Sequence, residues 1–242
     1  MSFFLAIDGL DGSGKGTQTE LLANALSEEG RSVRTLSFPV YESDSSFFVR
    51  YYLEGKLGDD PNATNAYAAS TFFACDRYLS FRQDWKKDWE DGEKILLANR
   101  FVSANAVHQL SKLPKEEWDA FLSWLFDFEH KKLGTPSPDL VIYLELKPEM
   151  SMKLIDSRCE KTGVKKDIHE KDSAHLIRSY EAAMYASEKL GWKRIRCYDG
   201  NVIRSREDIH REILETVRPY LPGKKITGKG KNNDSTVSCR RF

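Results

Sequence analysis

The sequence predicts a three-layer α/β fold: a parallel five-stranded sheet with helices on both faces. Two observations carry this. Five short apolar runs alternate with longer stretches of helical period, and the first run passes through a glycine-rich loop into such a stretch. The runs are "FFLAI" (3–7), "SVRTLSF" (32–38), "KILLA" (94–98), "LVIYLEL" (140–146) and "KRIRCYD" (193–199). Most are β-branched or aromatic and close on turn or charged residues, as strands do. Between them, Trp118, Phe121, Leu122, Leu125 and Phe128 recur at helical spacing. "SAHLIRSYEAAMYASEKLG" does the same and ends in Gly191, a helix stop. No internal repeat is visible.

Composition narrows the function. Charged residues at 31% and hydrophobic ones at 40% fit a soluble globular enzyme or binding protein. The 37 basic and 37 acidic residues cancel, so no whole-protein attraction to nucleic acid is expected. The start "MSFFLAIDG" has no basic leader, and its apolar run is too short to cross a membrane. Cys75, Cys159, Cys197 and Cys239 lie far apart and read as reduced thiols of a cytoplasmic protein. The five histidines lack a metal-ligand spacing, and no chemistry is assigned to them. Residues 1–221 read as one domain. The Gly/Lys/Asn/Ser-rich residues 222–242 cannot bury a core and read as a flexible basic tail, a solvated end in preference to a nucleic-acid arm.

The loop "DGLDGSGKGTQ" states the chemistry most directly. Gly9 to Lys15 fits the phosphate-loop pattern G-x-x-x-x-G-K. Glycines let backbone N–H groups approach an anion, the next helix offers its positive end, and Lys15 can reach outer phosphates. Gly9, Gly12, Ser13, Gly14, Lys15, Gly16 and Thr17 are therefore the candidate ATP-binding residues. Gly16 replaces the usual Ser/Thr, and the hydroxyl for Mg2+ comes one residue later, at Thr17. The strand "KILLANRF" ends in Asn99-Arg100, at the sheet edge where such folds bind ligands. A guanidinium there can grip a second phosphate with two hydrogen bonds.

Four pieces in order resemble thymidylate kinases, within the phosphate-loop NTPase fold and the nucleoside monophosphate kinases. They are "DGLDGSGKGTQ", "STFFACDRY" (70–78), "LLANRFVSANAVHQ" (96–109) and "PDLVIYLEL…MKLIDSRCEKTG" (138–163). The resemblance spans roughly residues 3 to 218 and implies a kinase domain with a mobile lid at about 158–172. It implies that Phe73 stacks on the acceptor base and Arg77 hydrogen-bonds its edge; at i and i+4 both lie on one helix face. Away from that resemblance, Phe73 reads equally as core and Arg77 as paired with an acid. The resemblance also implies that Asp11 sits near the acceptor sugar, that Arg100 grips the acceptor phosphate, and that Asn105 approaches the base. It implies Mg-ATP as donor, a nucleotide acceptor, and a homodimer.

Three departures stand out. Asn99 replaces the usual Asp, Gly12 stands where one subgroup carries arginine, and "FPVYES" (38–43) lacks the arginine some relatives have after the Pro. The lid offers Arg158, Lys161, Lys165 and Lys166 instead, and Arg158 at the helix–lid boundary is the leading candidate for catalysis alongside Lys15 and Arg100. The reaction expected is transfer of the γ-phosphate of Mg-ATP to dTMP. Alternatives are another pyrimidine nucleotide, a deoxynucleoside with Glu42 or Asp44 as base, and a nucleotide-binding regulatory protein without catalysis.

Overall fold

A computed structural model describes residues 1–163 and 165–223. Most of the expected tail, with Cys239, lies outside the described residues. The sheet has order β2-β3-β1-β4-β5, with every neighbouring pair parallel. Its strands are β1 (Phe3–Gly9), β2 (Val33–Ser37), β3 (Ile95–Asn99), β4 (Leu140–Glu145) and β5 (Lys193–Arg196). All five fall on the predicted runs. The fifth stops earlier than its sequence suggests, because the chain turns at Cys197 into a small hairpin, β6 (Tyr198–Asp199) with β7 (Val202–Ile203).

The helices are α1 (Lys15–Glu28), α2 (Phe47–Leu53), α3 (Ala66–Ser80), α4 (Lys86–Asp91), α5 (Val102–His108), α6 (Trp118–Phe126), α7 (Pro148–Thr162), α8 (Ile168–Lys171), α9 (Ser173–Leu190) and α10 (Arg206–Val217). Strand alternation sorts them into layers. On β1, Phe4 and Ala6 enter one core with Trp118 and Phe121 of α6 and Ala182 and Ala186 of α9. Leu5 and Ile7 enter the other, with Leu22 and Leu26 of α1 and Ile209, Ile213 and Val217 of α10. Burying each of Phe4, Leu5 and Ile7 contributes about 1.5–3 kcal/mol, and all three are fully buried. Gly191, at φ 68°, closes α9 as predicted. The apolar stripe expected to continue past Leu125 does so, but α6 widens into a π turn over Asp127–Lys132, where Glu129 is turned fully inward.

Strands β3 and β4 flank β1 and lead to opposite ends of the sheet, so the topological switch point lies at the C-terminal end of β1. Gly9, Asn99 and Arg100 meet there.

Candidate active site

The loop after β1 is shaped by close approach. A Cβ on Gly9 would stand 2.6 Å from Ser13 Oγ and 2.8 Å from the Leu144 carbonyl, so no larger residue fits. Gly14, at φ 87°, opens α1 in a left-handed conformation with no side chain capping the helix. The first N–H groups of α1 are thereby left for an anion. Lys15 is buried beneath them. Its Nζ donates to the Gly9 carbonyl at 2.9 Å and the Leu10 carbonyl at 2.8 Å, and lies 3.9 Å from Asp11 Oδ1. Burial, then the positive charge of Arg100, pulls the ammonium down to about 8, against Asp11 and Asp8.

Residues 11–18 form one wall of an open cleft. Asn99, Arg100, Leu154, Arg158, Lys161 and the Arg204–Arg206 turn before α10 complete it. Of the predicted loop residues, Gly9 alone lies beneath the cleft, holding Lys15 through its carbonyl. Arg158 reaches from α7 to α8, its Nη2 donating to both carboxylate oxygens of Glu170 at 2.8 Å. A divalent cation fits this cleft in one way. The half-buried Thr17 lines it, and Asn99, whose Nδ2 donates to Ser37 Oγ at 3.2 Å, keeps a buried Oδ1 with no partner. Neutral oxygens suit Mg2+ held mainly by phosphate and water.

Arg100 stands at the centre. Its backbone adopts φ 65°, a conformation that costs a non-glycine residue about 1–3 kcal/mol, and it is the one positive-φ non-glycine among the described residues. Its guanidinium is ion-paired with Asp11. Burial opposes both charges, but each holds the other ionised: Arg100 and Lys15 keep Asp11 well below the carboxylate range, and Asp11 keeps Arg100 above its own.

Past this pair lies a second cavity, lined by Asp11, Phe73, Arg77, Arg100 and Asn105, all candidates from the sequence. Phe73 stands edge-on to Tyr52, centroids 6.2 Å apart. Asn105 Nδ2 donates to the Ser70 carbonyl at 3.3 Å. Arg77 is 2% exposed and forks onto Glu129, Nε donating at 3.2 Å and Nη2 making a closer bond, while Nη1 donates to the Phe101 carbonyl at 3.4 Å. Arg77 thus pairs with an acid, as one of its two sequence readings had it, and also lines the cavity. Asp76, one residue before, anchors the 38–46 loop through Val40 N at 2.9 Å and Ser45 Oγ at 2.5 Å.

Sequence reasoning missed Glu129, Tyr41, Asp167 and His169. The acid that holds Arg77 is 52 residues away, and no local pattern marks it. Tyr41 and Asp167 line the cavity from loops. Burial first, then Asp11 and Glu170, pushes the Asp167 carboxyl up to about 7. The histidines need a correction. Their spacing along the chain showed nothing, yet His108, His169 and His175 converge, with ligating nitrogens all within 4.8 Å of one another. They come from three separate helices, α5, α8 and α9. Burial pushes all three imidazoles down, His175 to about 4.

A glycine-lined cradle and a second cavity, end to end across one ion pair at the switch point of a parallel sheet, define a phosphate-loop nucleoside monophosphate kinase. A family model described as thymidylate kinase matches residues 7–215, and the chain belongs to the thymidylate kinase family. It is a phosphotransferase. The thymidylate kinase of Mycobacterium tuberculosis is 30% identical over 191 residues, covering 78% of this chain and 86% of the relative. A probable thymidylate kinase of Thermococcus onnurineus is 29% identical over 222 residues, covering 90% and 98%. That of Pyrococcus horikoshii is 25% identical over 221 residues, covering 91% and 98%. Among the described residues, no helix is long and apolar enough to cross a membrane.

Proposed function

We infer that the protein transfers the γ-phosphate of ATP to dTMP, giving ADP and dTDP. The observation that carries this is that Asp11 and Arg100 line both cavities, so two phosphate chains entering from opposite sides meet between Lys15 and Arg100. ATP takes the glycine-lined cleft and the nucleotide acceptor takes the second cavity. An oxygen of the acceptor phosphate forms the new P–O bond. The bond to the β–γ bridging oxygen breaks, and its electron pair leaves with ADP. The acceptor is already an anion, so no side-chain base is required, and catalysis is alignment and charge neutralisation. Lys15 holds the outer phosphates of ATP. Arg100 grips the acceptor phosphate, its ion pair with Asp11 fixing where the guanidinium points. Arg158, released from Glu170, brings a third positive charge from the 158–172 segment, which acts as the lid and excludes water. Thr17 and Asn99 would hold Mg2+, which supplies neutralisation of the phosphate charge. The nucleoside alternative has less support, because Glu42 and Asp44 line neither cavity.

The deciding experiment measures ADP release against monophosphates and nucleosides. dTMP is expected to give the highest kcat/KM and thymidine no turnover. Phosphorylation of thymidine, or no ADP with any monophosphate, overturns the reading. Phe73→Ala is expected to raise the KM for dTMP about 5- to 150-fold, the worth of one stacked base, with kcat little changed. Steady-state kinetics with an unchanged KM would remove Phe73 from the base site.

Lys15 also sets a pH limit. Its pKa is lowered from 10.5 to about 8, so the free enzyme loses this positive charge as pH rises through that value. A plot of kcat/KM for ATP should fall on its basic side, approaching tenfold per pH unit above about 8. A profile flat to pH 10 would show that Lys15 titrates higher.

The same reading places a homodimer in the cytoplasm. Phe47, Phe48 and Tyr51 on α2, 39–55% exposed, give it an apolar face to pair through, which light scattering of the purified chain checks.

A further inference from the structure

We propose that His108, His169 and His175 form a binding site for a zinc-class divalent ion, one that ties α5 to α8 and the first turn of α9. Three features point there. The nitrogens already lie within 4.8 Å of one another. A tetrahedral zinc ion with bonds of about 2.0 Å wants them about 3.3 Å apart, a closure that small side-chain rotations supply. The Nδ1 atoms of His108 and His175 are buried with no hydrogen-bond partner, which is costly for imidazoles without a ligand.

The third feature is orientation. His169 Nε2 lies 2.7 Å from the Tyr52 hydroxyl, which also accepts from Lys112 Nζ at 2.7 Å and lies 3.5 Å from the Pro61 carbonyl. With that hydroxyl donating to Pro61, His169 donates through Nε2–H and its Nδ1 lone pair is free. A fixed outer partner of this kind orients metal-binding histidines. The rings are near-parallel or tilted, with centroids 4.6–5.9 Å apart.

The charges facing the cluster come from several elements. Arg100, 3.4 Å from His108 Nε2, opposes a cation together with Lys15, Lys112 and Arg178. Asp11 favours one, as does Asp172 beside His175, and Asp167 shares the cavity wall with His108 and His169. Three imidazoles select zinc, cobalt, nickel or copper over Mg2+, which prefers oxygen. The ion is therefore separate from any Mg2+ carried by ATP. Because His169 lies within the 158–172 segment, binding fastens that segment beside the acceptor cavity.

The test uses the full chain without a histidine tag, in excess Mg2+. Zn2+ is titrated against a chromophoric chelator, and Co2+ is followed by its visible absorption. One equivalent of Zn2+ is expected to bind with Kd below about 1 μM, weaker than structural zinc-finger sites. Co2+ should give tetrahedral bands with no sulfur charge-transfer band, which separates the histidines from the cysteines. His175→Gln, outside the acceptor cavity, should weaken Zn2+ binding at least a hundredfold with an unchanged circular-dichroism spectrum. X-ray absorption of the zinc-loaded wild type gives an answer that requires no variant: three imidazole nitrogens with one water oxygen, all at about 2.0 Å, support the site. No stoichiometric binding, sulfur neighbours, or a His175→Gln variant that binds as tightly as wild type each overturns it. These readouts are independent of turnover, so they stand or fall apart from the kinase reading.

Discussion

Lys15→Ala is expected to lower kcat about 10³-fold, a loss of about 4 kcal/mol of transition-state stabilisation. The size follows from where the ammonium sits. It is 7% exposed, and its Nζ hydrogen bonds run to the carbonyls of Gly9 and Leu10 within the phosphate cradle. In a low-dielectric site no water takes over its charge, and Arg100, held by Asp11, cannot replace it. The loss should appear in single-turnover chemistry as well as in steady state, with dTMP binding nearly unchanged. A variant retaining a tenth of wild-type kcat would show that the lid cations, not the loop lysine, carry the neutralisation.

Glu129→Ala should destabilise the fold by about 3–5 kcal/mol, because it strands a buried guanidinium. Arg77 and Glu129 are 2% and 0% exposed, and the carboxylate is bound by two of the arginine's nitrogens. For a chain of this size that is roughly a 6–20 °C fall in Tm, measurable by calorimetry. The double variant Arg77→Met/Glu129→Leu separates the two roles of Arg77. Removing both charges is often neutral or stabilising in a core. A recovered Tm with a dTMP KM still raised tenfold or more assigns the arginine to the base. Recovery of both would leave it only a packing role, and the assignment of the acceptor base edge would move to Asn105. A Glu129→Ala variant that melts with wild type would remove the pair as a structural element.

The legible part of the site is the part made from consecutive residues. The phosphate cradle is seven residues between a buried strand and a helix, and its chemistry lies in backbone N–H groups that only glycine-rich geometry exposes. Hence Lys15, Gly14 and Thr17 were readable directly, and so was the strand end that presents Arg100. Of the second cavity, Asp11, Phe73, Arg77, Arg100 and Asn105 were legible, because short motifs place them in the glycine loop, at a strand end and on helix faces. Its other walls, Tyr41, Asp167 and His169, arrive on loops and a one-turn helix whose sequences show no period. Position along the chain likewise concealed the ion pair of Asp11 with Arg100, which are 89 residues apart.

By itself the sequence determined the layers, the five strands and the anion cradle, because hydrophobic period and glycine conformation act within a few residues. Only the tertiary structure decided that Glu129 would lock Arg77, that two cavities would share one ion pair, and that three histidines from separate helices would face one another. Those are contacts between distant segments, fixed by how the helices pack on the sheet.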